Sequence, residues 1–333
     1  MSPYELRYRD PDVRQPENIP TNAFIEGILS RKSIRRFNKR RKLPPGLLEY
    51  LIAAAQSAPS GSGAQSWSVI ALTTPEEKEA FRSVAGEALD GTDPNNLASF
   101  QECAVFLIWV ADNYKISEVT RMVAHGDEPE SSQLLEEFRN HERYINSLDP
   151  DKKYKKLLFS PDKHNEWLNQ SNYSIRSIID ATIAAQTFSL CAESLGLGTL
   201  YMGSIAHCSI DSYRDVLKLP DRTFPIFGMC VGYEHTKGTH YHGLVGDPEY
   251  MTWYFRESKV LDIKPRQPQS VVLHHGHYNK AVHTALKKYN RILIDYYNSV
   301  KYVSDYFVTK CVKKIHSTSD QLRRMLELGN IWK

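Results

Sequence analysis

The chain has 333 residues, 41% of them hydrophobic and 24% charged, with a formal net charge of +3; these figures fit one large domain or two small ones around a packed core. Eight lysines and arginines lie between Arg31 and Lys42 with no acid among them, so the rest of the chain carries about −5, unlike the broadly basic surface of a duplex DNA binder. The opening MSPYELRYRD has no apolar secretory stretch, and the longest apolar run, CAVFLIWVA, is nine residues, too short to span a bilayer; the chain reads as cytoplasmic, with no membrane and no nucleic-acid partner.

Residues 1–21 are polar and Pro-rich and read as an extended arm. Asn22 to Ser30 reads as a short helix with Phe24, Ile25 and Ile28 on one side. After the basic run, Leu47, Leu48, Leu51, Ile52 and Ala55 recur at helical spacing, and Pro59 with the Ser/Gly cluster after it ends that helix. Trp67 to Leu72 predicts a strand. Thr74 and Pro75 are suited to the N-cap and first turn of a helix through about Val84. Cys103 to Ala111 predicts a strand buried on both faces. Residues 113–170 are highly charged and read as an insertion. Tyr173 to Leu195 predicts the clearest helix, so apolar that it belongs in the centre of the fold or at an interface between subunits. TLYMGSI then predicts a strand, Ile210 to Leu217 a helix and Phe224 to Tyr233 a second buried strand. Residues 235–260 read as another insertion, and helices over 278–298 and about 305–328 close the chain. Strands alternating with helices place the fold in the α/β or α+β class, as one domain over 22–333 built on a single mixed sheet.

The stretch GLGTLYMG invites comparison with dinucleotide-binding loops, but the order is wrong: the phosphate loop needs strand, turn and helix, and here the helix comes first. Gly196 and Gly198 read instead as a helix C-cap and a tight turn. There is no GxSxG, no HExxH and no P-loop. The HHGH run of His274, His275 and His277 has no carboxylate beside it and reads as ordinary surface imidazole. Five scattered cysteines without a CxxC pair read as small buried apolar groups in a reducing compartment. What remains are groups that suit a phosphate. Arg31, Ser33 and Arg35 alternate, so an extended backbone puts them on one side, where two guanidiniums and a hydroxyl converge. Lys264 and Arg266 form a second cationic pair, held stiffly by Pro265 and Pro268. Two separate rigid pairs fit a small anion better than a polymer, although a solvated charged face or a partner-binding strip over Arg31 to Lys42 would also produce such a run.

Four segments in order, RKSIRRF, SAPSGSGAQSW, AAQTFSLCAESLGLGTLYMGSI and FPIFGMCVGY, followed by KPRQP, resemble the nitroreductase superfamily of FMN enzymes, in the branch of oxygen-insensitive NADPH nitroreductases and NADPH-flavin oxidoreductases. The resemblance implies an α+β fold with a mixed, mainly antiparallel central sheet flanked by helices, and an intertwined homodimer whose sites draw on both chains. It implies FMN held by Arg31, Lys32, Ser33 and Arg35 at the phosphate and ribityl chain, by Ser60 and Gln65 in the Ser-rich turn, by Tyr201, Met202, Gly203 and Ser204 along the ring, and by Lys264 and Arg266. It further implies NADPH or NADH as donor and ping-pong two-electron reduction of nitroaromatics, quinones or free flavin, with no protein acid or base required. A reductase or dehydrogenase specialised for one metabolite, or a non-enzymatic binding protein, are the alternatives.

Overall fold

A computed structural model describes residues 17–90, 94–115, 147, 171–203, 205, 210–235, 266–276, 278, 287–288 and 290–291. Most of the two insertions, and most of the helices expected over 278–298 and 305–328, lie outside the described residues.

The elements in chain order are α1 (Ala23–Ser30), α2 (Leu47–Gln56), a 3-10 turn (Gly61–Gly63), β1 (Trp67–Leu72), α3 (Pro75–Asp90), α4 (Pro94–Glu102), β2 (Val105–Asp112), α5 (Ser171–Ser194), β3 (Gly198–Met202), α6 (Ile210–Leu217), β4 (Thr223–Gly232) and α7 (Gln269–Val272). The sheet runs β1-β2-β4-β3, and every neighbouring pair is antiparallel. The class is α+β, with the helices flanking the sheet.

Central β2 is buried along its whole length, as its continuous apolar run requires. Its side chains alternate between two cores. Phe106, Ile108 and Val110 join Phe81, Phe100, Leu200, Met202 and Tyr213 on the side of α3, α4 and α6. Val105, Leu107 and Trp109 join Leu51, Ala184, Phe188 and Met229 on the side of α2 and α5. Gly228 in β4 faces the ring of Phe106 so closely that any Cβ there would overlap it.

Helix α3 extends to Asp90, past the expected end near Val84. Its start is a capping box. The Thr74 hydroxyl accepts the Glu77 amide at 3.2 Å, and the Glu77 carboxylate accepts the amides of Thr73 at 2.7 Å and Thr74 at 2.9 Å. Those amides, Thr74 first, hold the Glu77 carboxyl below its ordinary value. Helix α4 had no counterpart in the sequence reading, because its apolar residues Leu97, Ala98 and Phe100 are too few to set a period.

Helix α5 ends at Gly196, whose φ of +76° is the left-handed C-cap conformation; the Leu197 amide reaches back to the Ala192 carbonyl at 3.0 Å. Gly198 opens β3 rather than making the expected turn, and a Cβ on it would overlap Ile34. The absent side chain is what lets the segment after α1 lie against β3.

Candidate functional site

Segment 31–37 runs extended beside β3, joined by a parallel bridge between Ser33 and Thr199 and by the Ile34 amide on the Thr199 carbonyl at 3.0 Å. The alternation read from sequence holds. Ile34 and Arg36 are buried, while Arg31, Ser33 and Arg35 are half-buried.

The four cations of this segment have different fates. Arg36 is 1% exposed and makes a two-pronged pair with Glu102, Nε to Oε2 at 2.9 Å and Nη2 to Oε1; Glu102 also accepts the Phe37 amide at 3.2 Å. Arg36 therefore builds the fold. Arg31 pairs with Glu193 at 3.4 Å, and Lys32 with Glu234 at 3.1 Å. Glu193 is held in turn by the Thr199 hydroxyl at 2.7 Å and by Ser189, while burial pushes its carboxyl above the ordinary value against those bonds and Arg31. Arg35 differs: its guanidinium makes one long bond, 3.4 Å to the Ser33 carbonyl, and meets no carboxylate among the described residues. Its backbone is fixed from below, where the Ser99 hydroxyl donates to the Arg35 carbonyl at 2.7 Å. Arg35 is thus a pre-positioned cation available to an anion. A cleft of about 540 Å³ lies beside the segment, lined by Arg31, Lys32, Glu193, Glu234 and apolar residues that include Phe24 and Leu190.

At the end of β3 the side chains of Tyr201 and Met202 turn into the protein. Met202 is buried in the α3-side core. The Tyr201 ring packs on Phe227 with 5.2 Å between centroids, and its hydroxyl donates to Gln186 at 3.3 Å. Burial pushes the Tyr201 hydroxyl well above its ordinary value, with Arg31 opposing and Glu193 adding to the shift. Gly203 is exposed, and a Cβ built on it would meet no atom within 4 Å. The backbone at Gly203 is therefore open to close approach.

Ser60 and Gln65 sit in a second cluster. The Ser60 hydroxyl accepts the Gln65 amide at 3.0 Å, and Gln65 has a φ of +45° and an exposed side chain. Asp180 of α5 anchors this turn from beneath, accepting the Gly61 amide at 3.0 Å and the Ser66 hydroxyl at 2.7 Å. Glu193, which pairs with Arg31, lies 13 residues further along α5, about 20 Å at the rise of an α-helix. Arg266 is exposed, while Lys264 and Ser204 lie outside the described residues. Among the sequence-predicted residues the structure joins Arg31, Lys32, Ser33 and Arg35 to β3 as one group, and Ser60 with Gln65 as another. Sequence reasoning missed Glu193, Glu234 and Asp180, whose partners lie far away along the chain.

No helix among the described residues is long and apolar enough to cross a membrane. The outer face of α5 exposes Ile175 and Ile179 at 50% each and Ile183 at 37%, one residue per turn, while its inner face is buried. Among the described residues nothing covers this stripe.

The pattern of the Nitroreductase family matches residues 28–233, and that of its C-terminal domain matches residues 264–328. An FMN reductase (NADPH) of Bacillus subtilis is 28% identical over 83% of this chain and 84% of its own length. An oxygen-insensitive NADPH nitroreductase of Salmonella typhimurium is 25% identical over 82% of each chain. Among solved structures, B. megaterium NfrA2 superposes with a TM-score of 0.62 at 21% identity, covering 93% of this chain and 98% of its own, and so shares the fold. With the family pattern spanning more than half of the sequence, and all four motif segments inside the match, the chain belongs to the nitroreductase family.

Proposed function

We propose that the protein is an FMN-dependent NAD(P)H oxidoreductase that reduces small two-electron acceptors such as nitroaromatics, quinones or free flavin. The observation that carries the reading is Arg35. Three of the four cations in RKSIRRF are neutralised by Glu193, Glu234 and Glu102, and Arg35 is left beside them without an acid partner among the described residues. A cation fixed through its backbone and left unneutralised suits a phosphate monoester, which a guanidinium binds through charge-assisted hydrogen bonds. The same pairing weakens the case for a polymer-binding strip, since little free charge remains in the first half of the run.

The donor set fits FMN. Arg31, Lys32, Ser33 and Arg35 would hold its phosphate and ribityl chain, with Lys264 and Arg266 adding positive charge. Ser60 and Gln65 would meet the ring edge, and the main chain from Tyr201 to Ser204 would lie along its face. When bound, FMN supplies hydride acceptance from a reduced nicotinamide and two-electron delivery to the acceptor. The residues bind, orient and leave access: Gly203 keeps the approach open, and the cations favour the uptake of negative charge. NADPH or NADH is the donor, and the names of the Bacillus and Salmonella relatives support NADPH.

The active form is a homodimer. Ile175, Ile179 and Ile183 give α5 a second apolar face, and the α5 residues that anchor the two clusters, Asp180 and Glu193, lie about 20 Å apart along that helix, which suits a site completed by a second copy. Residues 22–333 form one domain after an N-terminal arm of 1–21. The described cysteines, Cys103, Cys191 and Cys230, are free thiols, which supports a reducing, cytoplasmic setting.

The test is an absorbance spectrum of the purified chain with added FMN, before and after anaerobic NADPH and then NADH. Flavin bands that stay with the protein and bleach on adding a nucleotide support the reading. A chain that takes up no FMN refutes it.

A further inference from the structure

Asp180 is a carboxylate set inside a helix, 4% exposed, and both its oxygens are spent on one turn of chain. That turn is short and tightly bent. Gly63 and Gln65 have φ of +67° and +45°, the Gly63 amide bonds the Ser60 carbonyl at 3.1 Å, and the Trp67 amide bonds the Gln65 carbonyl at 2.7 Å. These local bonds close the turn on itself but do not fix it to the rest of the protein. Among the described residues, two groups bond it there. The Ser66 carbonyl accepts the Asp112 amide at 3.0 Å at the start of the sheet, and Asp180 takes the Gly61 amide and the Ser66 hydroxyl at either end of the bend. The side chain of Arg176, one helical turn before Asp180, lies over Gly61, where a Cβ would stand 3.3 Å from its Nε. The helix therefore grips the turn at its base and leaves the exposed Gln65 pointing outward.

We propose that Asp180 is a positioning residue for the cofactor: it sets the Gly61–Ser66 bend so that Ser60 and Gln65 are presented in one fixed arrangement. The proposal rests on the reading of Ser60 and Gln65 as FMN contacts. The residue acts through the turn and not on the flavin itself. A left-handed, non-glycine Gln65 is an unfavourable conformation that persists only where the surroundings enforce it, and a buried carboxylate with two aligned donors is such an enforcer.

The test compares Asp180→Ala with Ser177→Ala in the full chain. Ser177 is also buried in α5, one turn earlier, and its hydroxyl donates to the Asn113 side chain. Two quantities are read: hydrogen exchange at the Gly61 and Gln65 amides without flavin, and the FMN dissociation constant by quenching of free-flavin fluorescence. Asp180→Ala is expected to speed exchange at both amides and to weaken FMN binding at least ~10-fold, the scale of lost bonds to a charged acceptor. Asp180→Asn, which still offers an acceptor to the Gly61 amide, is expected to recover most of that affinity. Ser177→Ala is expected to lower the melting temperature yet leave FMN binding within about twofold, as a change outside the turn should. Unchanged exchange in Asp180→Ala overturns the clamp, and faster exchange with unchanged FMN affinity overturns the positioning role. Equal loss of FMN in Ser177→Ala overturns it too, because general destabilisation then explains the effect. If the wild-type chain takes up no FMN, the functional reading itself falls, and the cofactor role of Asp180 falls with it even where the exchange result stands.

Discussion

Replacing Arg35 with alanine should separate binding from folding, because its neighbour Arg36 offers the opposite case one residue away. In Arg35→Ala the fold loses a single 3.4 Å bond to the Ser33 carbonyl. The stronger anchor, from Ser99 to the Arg35 carbonyl at 2.7 Å, involves only the backbone and is kept. Folding stability should therefore fall by less than about 1 kcal/mol. FMN binding should weaken by about 1.5–3 kcal/mol, roughly 10- to 150-fold, the range for a hydrogen bond to a charged group. Arg36→Ala instead strips the buried Glu102 of its partner and should cost about 3–5 kcal/mol of stability. Urea unfolding of the flavin-free proteins measures the stabilities, and titration of FMN by fluorescence quenching measures the affinity. If Arg35→Ala binds FMN as tightly as the wild type, or unfolds as easily as Arg36→Ala, the division of labour between the two arginines is wrong.

Gly203→Ala should weaken FMN binding while changing stability by no more than about 0.5 kcal/mol, since a Cβ there meets nothing within 4 Å; thermal melting and flavin uptake check both halves. Gly198→Ala should cost about 1–3 kcal/mol in urea unfolding, because its methyl overlaps Ile34 and the 31–37 segment must shift off β3. Ile179→Asp should yield a monomer by light scattering with no flavin bound; a flavin-loaded dimer would remove α5 from the interface. The Glu77 carboxyl lies below its ordinary value in the folded chain, so its contribution is present above the unfolded value of about 4.5 and fades as pH falls through the folded one. Glu77→Gln should accordingly be less stable than the wild type at neutral pH, with the two converging in acid; a gap that does not close with acidification would contradict the capping role.

Local chemistry was enough to place most of the described framework. The β2 run reads as buried on both faces because nine consecutive apolar residues leave no side for water. The bounds read from sequence for Trp67 to Leu72 and Ile210 to Leu217 coincide with those of β1 and α6. The alternation of Arg31, Ser33 and Arg35 needed only an extended backbone. Thr74 and Pro75 marked the start of α3, and the Glu77 half of its capping box emerged only in the structure. Which arginine is free and which is structural was a different matter. Arg35 and Arg36 are equivalent in composition and adjacent in sequence, and only the arrival of Glu102, 66 residues later, makes one of them part of the core. Glu193, Glu234 and Asp180 likewise acquire their roles from contacts across the sheet and along α5. Sequence patterns report the period and chemistry of a segment, which are local. The neutralisation of a charge depends on the distance to its partner, and the tertiary fold alone sets that distance.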